Sequence, residues 1–147
     1  MIDYSYIVFL LHLASALFMT GVIWFVQLVH YPLLRDVRQY KEAAYEFTAL
    51  RRATWVFGPP MLLELASGAW LVWRPPDFFP AALNWGNLAL LSLLWLVTFQ
   101  LATKHQVLAI EYNEKVHHSL VRRNWFRTAV WSLRALALLY VLGTTRL

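Results

Sequence analysis

The sequence predicts an all-α fold: a four-transmembrane-helix bundle with two amphipathic helical connections on one side. Three observations carry this. Only 14% of the residues are charged while 60% are hydrophobic, and a soluble domain carries about 25% charged residues to cover its water-facing surface. Four stretches are almost free of formal charge, each near the roughly 20 residues that a spanning helix needs. Eight Trp residues suit the aromatic belts of membrane interfaces. At 147 residues the whole chain, 1–147, reads as a single integral membrane domain. The absence of Cys excludes disulfide scaffolds, thiolate metal sites and cysteine nucleophiles.

The first span falls near 4–30, because no formal charge occurs from Tyr4 through Leu34. Ala14-Ser15-Ala16 looks like a signal-cleavage site, but the apolar run continues to Val29 without a basic leader, so a retained N-terminus is expected. Tyr31-Pro32 marks the end of the span. Leu33, Val37, Tyr40, Ala44 and Phe47 then recur at helical spacing and predict the first amphipathic connection. The second span, near 53–74, is interrupted only by Glu64, and Gly58-Pro59-Pro60 predicts a kink one turn before it. Arg74-Pro75-Pro76-Asp77 is a short turn. The third span, near 82–103, lies in a run with no charge at all. Leu108, Tyr112, Val116 and Leu120 form the second amphipathic stripe, with Glu111 and Lys115 as an i,i+4 pair. The fourth span, near 125–143, is interrupted only by Arg134. Both connections read as extensions of the bundle or as helices on the headgroups, since apolar stripes usually bury locally.

Lys and Arg set the orientation. Arg35, Arg38, Lys41, Arg51 and Arg52 follow the first span, and Lys104, Lys115, Arg122, Arg123 and Arg127 follow the third. The opposite side has only Arg74 and Arg146, a bias of ten to two. The positive-inside rule places both termini outside the cytoplasm. The net charge of +5 is largely this asymmetry, so no nucleic-acid partner is expected.

The halves resemble each other in outline. Arg51-Arg52-Ala53-Thr54-Trp55 stands beside Arg122-Arg123-Asn124-Trp125, with Glu64 and Arg134 each nine residues after the Trp. A parallel repeat about an axis along the membrane normal is one reading; chance similarity between apolar helices with basic flanks is the other.

Polar groups at membrane depth are the candidate site, because such groups normally face protein or water. Glu64 lies about 15 Å into its span at 1.5 Å per residue, and Arg134 lies at a similar depth. An ion pair is their simplest neutral arrangement. It either locks two helices together or also holds a ligand. His12 enters from the opposite side to roughly the same layer; it would bind a ligand or donate one hydrogen bond to a neighbouring helix. A second layer near the basic ends holds Gln27, His30, Gln100, His105, Asn124 and Arg127, where long side chains can also reach headgroup water. No Glu-x-x-His pair occurs within a span, so a di-metal centre is disfavoured and no metal site is assigned. A haem held by His30 and His105 would need both imidazoles at one depth, which sequence does not show, and the cofactor stays open. P-loop, dinucleotide-binding, HExxH and nucleophile-elbow motifs are missing.

Asn124-Trp125-Phe126-Arg127-Thr128 resembles the Asn-x-x-Arg-Thr pattern of the anthrone-oxygenase-like family of small four-span membrane proteins. More closely, Gln27-x-x-His30-Tyr31-Pro32, Gly58-Pro59-Pro60 and Asn124-Trp125-x-Arg127-Thr128 resemble a group of uncharacterised bacterial integral membrane proteins. The resemblance implies the four-span fold, a bacterial inner-membrane location, and functional weight on Asn124, Arg127 and His30. Fold does not bring the chemistry with it.

The sequence-level expectation is an intramembrane polar site that binds a small apolar ligand, aromatic or quinone-like, with oxidation of that ligand left open. Its wall is expected to hold His30, Glu64, Asn124, Arg127 and Arg134, between spans one, two and four, with His12, Gln27, Gln100 and His105 as secondary candidates. The alternative is a non-catalytic accessory or assembly subunit of a larger membrane complex. Self-association is a further option, and whether the protein is an enzyme is open.

Overall fold

The computed structural model describes residues 4–33, 43–110 and 114–145, and the side chains of residues 43–50 and 103–110 lie outside the description. Four helices make up the described chain. Helix α1 spans Tyr4–Phe25 and continues through one wide π turn, Val26–His30. Helices α2, α3 and α4 span Ala43–Trp73, Ala81–Ile110 and Glu114–Thr144. Each contains a segment long and apolar enough to cross a membrane.

Three apolar clusters stack along the bundle and fix its topology. Phe9, Leu13 and Ala16 of α1 meet Leu71 at the end of α2 and Leu138 and Val141 at the end of α4. Met19 and Ile23 meet Met61, Leu94, Val130 and Trp131. Tyr31 meets Leu101 and Leu120. Successive helices therefore run antiparallel. Helix α1 packs on α2 and α4, and α3 packs on the same two, so α1 faces α3 and α2 faces α4 across the diagonals. The end holding Phe9 and Val141 is here the terminal end; the end holding Arg51, Arg52, Arg122 and Arg123 is the basic end. The outward faces keep large apolar side chains, among them Phe25, Leu28, Leu62, Leu96, Leu136 and Tyr140, as expected of helices that meet hydrocarbon rather than water.

The helices are longer than the predicted spans. The described parts of the amphipathic connections belong to the spanning helices instead of forming separate elements: residues 31–33 continue α1, 43–52 begin α2, 104–110 end α3 and 114–123 begin α4. Leu120 is buried and Val116 half-buried in the basic-end cluster, so that stripe extends the core. Val37, Tyr40 and Tyr112, and the side chains of Ala44, Phe47 and Leu108, lie outside the described residues. Helix α2 runs unbroken through Pro59 and Pro60, although proline removes the amide that would bond the previous turn.

The π turn has a local cause. The Tyr31 amide donates to the Val26 carbonyl, five residues back. Pro32 follows directly, and its ring clashes with the carbonyl four residues earlier in a regular helix. Widening the turn relieves that crowding. Such turns recur at functional sites because they re-aim side chains; here the turn carries Gln27 and His30.

Candidate functional site

All four helices send polar side chains into one buried layer: His12 from α1, Glu64 and Ser67 from α2, Asn87 from α3 and Arg134 from α4. Arg134 Nη1 donates to Glu64 Oε1 at 2.8 Å. Arg134 Nε donates to Asn87 Oδ1 at 2.9 Å. Since guanidinium can only donate, that contact fixes the Asn87 amide, whose Nδ2 then donates to His12 Nε2 at 2.8 Å. His12 Nε2 must accept, so Nδ1 carries the proton and donates to Ser67 Oγ at 2.8 Å. The Ser67 hydroxyl donates in turn to the Leu63 carbonyl. On the other flank Trp131 Nε1 donates to Glu64 Oε2 at 3.2 Å. Both carboxylate oxygens accept, both imidazole nitrogens are engaged, and the charges of Glu64 and Arg134 cancel.

Gly68 makes room for this arrangement. A Cβ there would lie 3.1 Å from His12 Cε1 and 3.4 Å from Leu91 Cδ2, so the imidazole seats against bare backbone, as small residues permit where helices approach closely.

A second polar layer lies toward the basic end, along the seam between α1 and α4. Asn124 Nδ2 donates to Gln27 Oε1 at 2.7 Å. Arg127 Nη1 donates to Asn124 Oδ1 over a long 3.3 Å. His117 Nε2 lies 3.4 Å from the Tyr31 carbonyl, with the two rings edge to face. Arg127 is only 7% exposed, and its Nε has no hydrogen-bond acceptor. Its guanidinium carbon sits 5.2 Å from the Trp131 ring centroid. Among the described residues no carboxylate pairs with it. A cation–π contact gives up to about 2 kcal/mol when desolvated, against several kcal/mol for taking an ion out of water. None of these contacts brings the opposite charge that Glu64 brings to Arg134.

The five expected wall residues therefore divide between two layers. Glu64 and Arg134 meet at the first, where His12 joins them. Asn124 and Arg127 share the second with Gln27. Asn124 and Arg134 are separated by about 15 Å of helix rise. His30 is half-buried with its ring 5.8 Å from that of Tyr31, at the level of the second layer. Gln100 is on the surface and accepts from Arg123 Nη1 at 2.6 Å. The His105 side chain lies outside the described residues. Trp131 connects the layers: its edge serves Glu64 and its face receives Arg127. Among the described residues no three His, Asp or Glu side chains converge in a way that could hold a metal ion.

Sequence reading passed over Ser67, Gly68, Asn87 and Trp131. Asn84 and Asn87, one turn apart in the charge-free third run, were the available signal: a carboxamide at that depth needs partners as a charge does. Asn84 Nδ2 finds one in the Leu71 carbonyl at 2.7 Å.

Four helices of spanning length around buried polar layers define the class, a helical bundle of the membrane-protein type. Compared with protein-family models, with curated proteins and with solved structures, the chain has no match, so the Asn-x-x-Arg-Thr resemblance rests on its motif residues alone.

Proposed function

We propose that this is a multipass protein of a bacterial inner membrane, with both termini on the outer side, that binds a small, largely apolar ligand. Its polar head would sit in the α1–α4 layer of Gln27, Asn124 and Arg127, and an aromatic or quinone-like body would lie among the neighbouring apolar side chains. The observation that carries this reading is the buried Arg127 Nε, a strong donor without an acceptor, beside a π turn that aims Gln27 into the same layer. Buried donors in folded proteins are nearly always satisfied, and a ligand oxygen would satisfy this one. The resemblance at Asn124, Arg127 and His30 points to the same layer.

A second reading is favoured by the Glu64 layer, which is neutral and closed by its own hydrogen bonds. It describes a structural lock suited to an accessory subunit of a membrane complex or to a self-associating bundle. Purification in mild detergent, followed by mass spectrometry of organic extracts and of co-purifying proteins, separates the two. Stoichiometric small molecule from wild type, lost from Arg127→Gln, supports ligand binding. A stoichiometric protein partner with no extractable small molecule supports the accessory reading instead.

A further inference from the structure

The two layers differ in charge. Glu64 and Arg134 cancel in the first, and His12 is neutral by its hydrogen bonds. In the second, Gln27 and Asn124 are neutral amides and Arg127 is permanently charged. Among the described residues no carboxylate reaches it. A protonated His117 would only add to the excess. Among the described residues two guanidinium groups are thus deeply buried, one given a carboxylate across the bundle and one given none. We infer that the natural occupant of the second layer is an oxyanion, a carboxylate, phenolate or enolate oxygen on an apolar body, which supplies to Arg127 what Glu64 supplies to Arg134. This rests on the ligand-binding reading and narrows it from any polar head to a negatively charged one.

The geometry fits that assignment. Arg127 Nη1 is held by Asn124 Oδ1, and Asn124 Nδ2 is held in turn by Gln27 Oε1. The carboxamides fix the guanidinium from one side and leave its Nε edge without an acceptor. The guanidinium carbon lies over the Trp131 ring. A planar cation held through Nη1 and seated over an aromatic ring keeps its Nε edge for an oxygen, the arrangement in which guanidinium and oxyanion form their strongest hydrogen bonds. A neutral quinone carbonyl could accept the same bond but would leave the charge uncompensated.

The test uses the full chain in detergent and two probes of nearly the same shape, 9-anthracenecarboxylate and the neutral 9-anthracenemethanol, titrated at neutral pH against tryptophan fluorescence. The carboxylate should bind about tenfold more tightly than the alcohol. Arg127→Gln should abolish the difference, and Arg127→Lys should keep part of it. Equal affinities in the wild type overturn the oxyanion inference while leaving ligand binding intact, and this comparison needs no variant. Saturable binding of neither probe overturns both. A repeat in phosphatidylcholine nanodiscs, with and without phosphatidylglycerol, identifies the source of the oxyanion. Displacement of the carboxylate by phosphatidylglycerol assigns a lipid phosphate to Arg127 and overturns the small-ligand reading. Undiminished binding assigns the site to a free small molecule.

Discussion

Glu64 and Arg134 meet at 2.8 Å although their helices are not packed neighbours. Helices α2 and α4 stand on a diagonal, so the pair crosses the middle of the bundle, and the second diagonal, His12 to Asn87, crosses it at the same level. Removing one ion leaves the other buried without compensation, which typically costs about 3–5 kcal/mol. Glu64→Leu and Arg134→Met should each lower the unfolding midpoint in detergent, and the double variant should lie closer to wild type than either. A double variant as unstable as the sum of the singles would show that the pair is not coupled.

Arg127 should behave in the opposite way. Without ligand its charge has no compensating partner among the described residues, so Arg127→Met should leave the stability of the ligand-free protein unchanged or raise it by about 1 kcal/mol, a familiar exchange between stability and binding. The readout is the thermal midpoint of delipidated protein. A loss as large as that of Arg134→Met would mean that Arg127 is a structural cation.

Gly68→Ala should destabilise by about 1–3 kcal/mol, the usual range for overpacking. The added Cβ meets an imidazole that Ser67 and Asn87 hold from both sides, so the ring has little freedom to yield. In His12→Ala the same glycine change should cost much less. Equal costs in both backgrounds would place the strain elsewhere.

The His12 tautomer is open to direct observation. Nitrogen-15 spectra of selectively labelled protein at neutral pH should show a proton on Nδ1 and a bare Nε2, as the Asn87 amide requires. Asn87→Leu removes the acceptor of Arg134 Nε and the donor to His12 together, and should perturb both Nε2 and the Arg134 Nε resonance. A proton on Nε2 in the wild type would mean that the Asn87 amide is reversed.

Topology can be mapped on a cysteine-free background. Single Cys substitutions within 35–52 and 104–123 should resist an impermeant maleimide in intact cells, and substitutions near either terminus should react. The reverse pattern would overturn the positive-inside argument.

The helices were legible because apolar runs and basic flanks are one-dimensional signals. The depth of Glu64 and Arg134 could be counted along the chain, and their opposite charges suggested the pair. What could not be read was rotation about each helix axis. Depth alone put His30 and Glu64 on one wall, whereas bundle geometry brings His12 to Glu64 and leaves His30 beside Tyr31 at the other level. Asn87 and Ser67 are uncharged, and their importance arises from Arg134 and His12 on other helices. The π turn follows from Pro32 in hindsight, but its effect on Gln27 depends on where α4 presents Asn124.

The diagonal ion pair also has a consequence for biosynthesis. In a bilayer, α2 takes Glu64 to mid-depth before α4 exists, and Arg134 follows 70 residues later. At about 5–20 residues per second of synthesis the carboxyl group waits roughly 4–14 s for its counter-ion. During that interval it must take up a proton, draw in water or lean on the insertion machinery, and each of these raises the cost of holding α2 in lipid. A ribosome stalled before α4 emerges should therefore hold a nascent chain whose second helix slips back from the membrane, and release of the stall should seat the second and fourth helices together.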